Sequence, residues 1–166
     1  MALTARIVLD VQSSQTSALD LETVASPLSY RKVIDLANGT GANQATKRFT
    51  DTRTLAASGT EDIDLAGVLV DGFGATLTFA RIVLIIIEAA SANTNNVNVS
   101  VPAVNGFITP FAAAADTVKV RPGGFMALAA PDATAYVVTA GTGDLLTITN
   151  SAAGTSVTYN IVIIGS

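Results

Sequence analysis

The sequence contains no cysteine, no histidine and no tryptophan. Without cysteine there are no disulfides, thiolate metal sites or thiol nucleophiles, and the redox compartment is left open. Without histidine the chain lacks the usual general base near neutral pH and the commonest transition-metal ligand. A hydrolytic triad is therefore excluded, and no Ser-Lys motif stands in for one. Charge is scarce as well, at 13% of residues against about 25% in an ordinary soluble domain. Nine basic and thirteen acidic residues leave a net charge of −4. Phosphate binding rests on clustered Lys and Arg, so nucleic acid is not an expected partner. Aromatic residues make up only 5%, which offers few platforms for stacking sugars.

Long apolar runs are also missing. The longest aliphatic stretch, Ile82 to Ile87, is six residues and ends at Glu88, whereas a membrane-spanning helix needs about 20. No membrane partner is expected. The N-terminal stretch MALTARIVLDVQSS carries Arg6 and Asp10 inside its short apolar segment, unlike a secretion signal, and is read as part of the fold.

What the chain does have is apolar surface, with 49% hydrophobic residues over 166 positions. This length fits one domain, residues 1–166, that buries roughly 70% of the surface exposed by the unfolded chain. So little charge on a monomer invites association, and we expect packing against further copies or a larger scaffold.

The apolar periods are those of strands. Ile7, Leu9 and Val11 share one face and Arg6 and Asp10 the other, predicting a half-buried strand. SYRKVIDLA reads as a second strand, and KRFTDTRTLAA places Phe49 and Leu55 on a face with Asp51 and Arg53. In GTEDIDLAG, Ile63 and Leu65 point inward and Asp62 and Asp64 outward. ATLTFARIVLIIIEAA has Leu77, Phe79, Val83, Ile85 and Ile87 on one face, with Ile82, Leu84 and Ile86 on the other. Its second half is predicted to be a strand buried on both faces, beneath another layer of protein. NVNVSV follows, then TVKV and FMALAA flanking RPGG, then DLLTITN and SVTYNIVIIG flanking SAAGT; both flanked pairs read as hairpins. SALDLETVA is a weak helix candidate that also fits a short strand ended by Pro27, and Ala112 to Ala115 is a second weak one. The predicted architecture is all-β: an antiparallel sandwich of the jelly-roll kind with about ten strands, residues 1–27 forming an N-terminal arm or edge strand.

Candidate sites are few. Glu61, Asp62 and Asp64 could hold a hard cation, but they match no calcium-loop spacing and also fit a strand face turned to water. GTGANQ and GTGDLL lack the lysine of a P-loop and the third glycine of a dinucleotide loop, so they are expected to be turns. The Asn-rich run Asn93 to Asn98 offers amides to sugars or forms a turn. No catalytic residue, metal or cofactor is assigned, and no enzymatic activity is expected. The candidate protein interface comprises Arg6, Val8 and Asp10 on the first strand with the basic pairs Arg31, Lys32 and Lys47, Arg48. These pairs could meet an acidic partner surface or simply line a solvated strand face.

From about Leu28 to Ser166 the wording GTGANQATKRFTDTRTLAASGTEDIDLAG, DGFGATLTFARI, NTNNVNV, VRPGG and APDATAYVVTAGTGDLLTITNSAAGTSVTYNIVIIG resembles a family of small virion structural proteins of tailed bacteriophages. The resemblance implies a virion component made in the bacterial cytoplasm. Its preferred role is capsid decoration on the head exterior, as a dimer or trimer bound to the major capsid protein and to copies of itself. A tail- or fibre-associated module that binds other tail proteins or host carbohydrate is the alternative.

Overall fold

A computed structural model describes residues 2–166, and among them the only regular secondary structure is β. The fourteen strands are β1 (Ala5–Ala18), β2 (Thr23–Asn38), β3 (Gln44–Ala45), β4 (Lys47–Leu55), β5 (Thr60–Asp64), β6 (Ala66–Val70) and β7 (Thr76–Thr78), then β8 (Arg81–Ala89), β9 (Val97–Ser100), β10 (Thr117–Val120), β11 (Phe125–Ala129), β12 (Tyr136–Val137), β13 (Leu145–Asn150) and β14 (Val157–Gly165). The excess over the expected ten comes from short pieces such as β3 and β12, and from a break at Phe79–Ala80 that splits the long apolar segment into β7 and β8.

Two antiparallel sheets form the body, ordered β10-β9-β13-β5 and β11-β8-β14-β4, with β12 also on β8. The pairing is nested. Of the eight strands in these two orders, β4 pairs with β14, β5 with β13, β8 with β11 and β9 with β10. Contacts of β14 with β8 and of β13 with β9 join these pairs into sheets. The apolar alternations read from the sequence meet between the layers. Phe49, Ile85, Ile87, Tyr159, Ile161 and Ile163 of one sheet pack with Ile63, Val97, Val99, Leu146 and Ile148 of the other.

The two expected hairpins are not hairpins. TVKV lies in the four-stranded sheet and FMALA in the five-stranded one, so the RPGG turn, with Gly123 at φ +73, carries the chain from one layer to the other. The SAAGT loop does the same between β13 and β14. A short polar loop specifies a reversal but not whether the strands it joins lie side by side or face to face. The two helix candidates also resolve differently: Leu19 to Glu22 form the turn between β1 and β2, and Ala112 to Ala115 lie in bends and turns. Pro27 does not end its strand. It sits opposite Ser14 within β2, where the outer edge has no neighbouring strand to receive a ladder hydrogen bond.

The hexapeptide Ile82 to Ile87 is a strand, with Leu84 buried on the outer face of the five-stranded sheet and Ile85 and Ile87 inside the sandwich. Its face assignment needs one correction. Ile164 pairs with Leu84 and Gly165 with Ile82, which leaves Val83 as an extra residue in a β-bulge. The bulge turns Val83 to the outer face and Ile82 to the inner one, against strict alternation. The layer over the outer face is the base of the β1–β2 ribbon, whose Ala5, Ile7, Ile34 and Leu36 pack with Val83, Leu84 and Ile164.

Candidate docking surface on a projecting ribbon

β1 and β2 pair without interruption from Ala5 opposite Leu36 to Ala18 opposite Thr23. At about 3.3 Å per residue the ribbon is about 45 Å long. Only its base touches the body. Every residue from Val8 to Lys32 is exposed, and Leu21 at the tip is 100% exposed. The expectation of a half-buried first strand therefore holds only as far as Ile7; alternation at Leu9 and Val11 continues, but nothing among the described residues covers it. An isolated two-stranded ribbon is at best marginally stable in water, and beyond its base this one stands exposed over most of its length.

Opposed residues share a face, so the register separates two surfaces. One carries Arg6 opposite Asp35, Val8 opposite Val33 and Asp10 opposite Arg31. Arg6 donates to Asp35 through Nε at 2.7 Å and Nη2 at 3.2 Å. Both groups are well exposed, so the pair contributes little stability and mainly leaves this face electrically balanced. The other face carries Leu9 opposite Lys32, Val11 opposite Tyr30, Ser13 opposite Leu28 and Ser17 opposite Val24.

The interface residues expected from sequence thus separate into three groups. Arg6, Val8, Asp10 and Arg31 come together on the charged face of the ribbon. Lys32 lies on the opposite, apolar face. Lys47 and Arg48 belong to β4, the edge strand of the five-stranded sheet; the Lys47 ammonium donates to the Thr78 carbonyl at 2.7 Å, while Arg48 is exposed. Adjacent basic residues in a strand point to opposite faces, which is why neither pair forms a common patch. Sequence reasoning passed over the apolar members of the surface, Leu9, Val11, Leu28 and Tyr30. Their alternation was visible, but it reads the same whether a strand lies on a core or leaves it.

The remaining candidates are occupied by internal work. Glu61 accepts from the Tyr159 hydroxyl at 2.6 Å and from Arg53 Nη1 at 2.5 Å; burial, followed by the bond to Glu61, pushes the Tyr159 phenol well above the usual tyrosine range. Asp62 accepts from the Thr147 hydroxyl, and Asp64 accepts from the Ala66 amide at 2.8 Å. No group of three or more His, Cys, Asp or Glu side chains converges among the described residues. The Asn-rich run pins loops: Asn93 exchanges two hydrogen bonds with the Thr158 backbone, and Asn95 donates to Asn150 and to the Ala152 and Thr155 carbonyls. GTGANQ and GTGDLL are turns closed by Gln44 and Asp144 side chains on glycine amides.

Arg81, which interrupts the apolar alternation, is a buried clamp. Its guanidinium donates to the Ser166 hydroxyl, to the carbonyls of Asp132 and Ala133, and to those of Gly41 and Gln44, at 2.6 to 3.0 Å. It ties three separate segments to the end of the sandwich next to the ribbon base. No known family, curated protein or solved structure matches the chain.

Proposed function

We propose that the chain is a structural component of a bacteriophage virion, a decoration protein that binds across neighbouring major capsid subunits and stabilises the head. The observation that carries this reading is the ribbon: a long two-stranded arm, exposed from Val8 to Lys32 and held at its base by a low-charge body. We read the nested strand pairing of that body as a jelly roll, an architecture common among viral capsid domains. Fold does not imply function by itself, and the arm supplies the functional argument.

An arm of this kind suits attachment to a repeating surface. The outer backbone edges of β1 and β2 offer unpaired N–H and C=O groups along most of their length, able to extend a sheet of the shell. The balanced face, with Arg6, Asp10, Arg31 and Asp35, adds polar contacts that fix register more than they add affinity. One such contact is modest, but repeated within an oligomer it gains avidity because later contacts are intramolecular.

The test is the stoichiometry of this protein against the major capsid protein in purified virions of the encoding phage. Decoration requires a copy number comparable with that of the shell subunit. A copy number far below it would overturn the assignment and favour the tail- or fibre-associated role.

A further inference from the structure

We propose that the apolar face of the ribbon docks on the outer face of the five-stranded sheet of a second copy of this chain, so that copies associate by exchanging arms. This concerns the isolated protein and does not depend on the virion assignment.

The chain already contains this interface in part. Ala5, Ile7, Ile34 and Leu36 at the ribbon base pack on Val83, Leu84 and Ile164 of the outer sheet face. Both surfaces then continue uncovered. Along the ribbon the same stripe runs on through Leu9, Tyr30, Val11 and Leu28, each about half exposed. Along the sheet the face runs on through half-buried Ile86 and Val162 to exposed Ala127 and to Phe125, 67% exposed. Side chains of this size at half exposure leave on the order of 500 Å² of apolar surface on the ribbon face, at the upper end of what a lone soluble chain carries. Reciprocal exchange covers two ribbon faces and two sheet faces. That places the total near the roughly 1,200–2,000 Å² buried in stable interfaces.

Charge gives the pairing its direction. Lys32 is the only charge among the body-proximal residues of the apolar stripe, and among the described residues it takes part in no ion pair. The uncovered sheet face presents Glu88, whose one polar contact there is with the Asn160 amide at 3.3 Å. Glu88, Val162, Asn160, Thr50 and Thr52 line a shallow groove of about 500 Å³ on that face. A ribbon seated there brings Leu9 and Tyr30 against Ile86 and Val162, with the Lys32 ammonium within reach of Glu88.

Sedimentation velocity of the full chain tests the proposal. The unsubstituted protein is expected to self-associate, and the pair Leu9→Glu with Tyr30→Glu to be monomeric with unchanged circular dichroism, since both positions are exposed. Lys32→Glu and Glu88→Lys should each weaken association by about tenfold or more, and their combination should restore it. A monomeric parent protein, or undiminished association of the Leu9/Tyr30 variant, overturns the exchange. Dissociation by that variant without rescue in the Lys32/Glu88 double reversal overturns the sheet face as the seat.

Discussion

Replacing Arg81 by Met keeps most of the buried stem and removes every guanidinium hydrogen bond. Arg81 is 7% exposed, and its donors satisfy four backbone carbonyls and the Ser166 hydroxyl. A carbonyl that loses its donor costs about 1 kcal/mol where water can replace it and up to about 3 where it cannot. The loops at Gly41 and Asp132 are partly accessible, so the lower figure applies to most of the four, and release of a buried cation recovers part of the loss. The net expected destabilisation is about 3–5 kcal/mol, a large part of the roughly 5–15 kcal/mol that holds a domain folded. For a chain of this size that lowers Tm by about 10–15 °C in a circular dichroism melt. Arg81→Lys should fall in between, since one ammonium cannot reach both loops. Amide exchange should quicken at Asn43, whose N–H bonds the Pro131 carbonyl at 2.7 Å and so links the two loops that Arg81 holds. A fall in Tm below about 3 °C with unchanged exchange at Asn43 would refute the clamp.

The raised pKa of Tyr159 means that its phenol binds its proton more tightly folded than unfolded. Stability from this group is complete below about pH 10, the unfolded value, and declines as pH rises above it; Tyr159→Phe should flatten that decline in alkaline denaturation curves. Gly165 lies where β14 passes the bulge, and a Cβ there would collide with the Arg81 carbonyl oxygen and sit 2.9 Å from the Phe79 ring. Gly165→Ala should cost about 1–3 kcal/mol by overpacking, and an unchanged urea midpoint would show that the strand can shift. Excising residues 9–31 and closing the ribbon with a tight turn should leave the melt of the body within a few degrees while abolishing binding to phage heads. Undiminished head binding would show that the arm is not the anchor.

Much of the sandwich was legible because burial and backbone period coincide in its strands. Ile63 and Leu65 against Asp62 and Asp64 leave only one face for the core, and a strand slipped by one residue would bury the wrong set. The double burial of the Ile82–Ile87 segment was legible for a related reason: a short β-branched run without polar alternation is stable only between two layers. The bulge at Val83 was not legible, since it arises from the fit of β14 beside β8 and leaves no local mark.

The sequence alone thus determined the β class, the inner faces of the main strands and the shortage of charge. Local alternation encodes these, because each side chain chooses between water and protein as the strand forms. Tertiary structure alone decided that RPGG and SAAGT cross between layers, and that Leu9, Val11 and Tyr30 leave the body although Ile7 packs on it. Those outcomes depend on what stands opposite each strand, and a strand's own residues carry the demand for cover without naming the segment that supplies it.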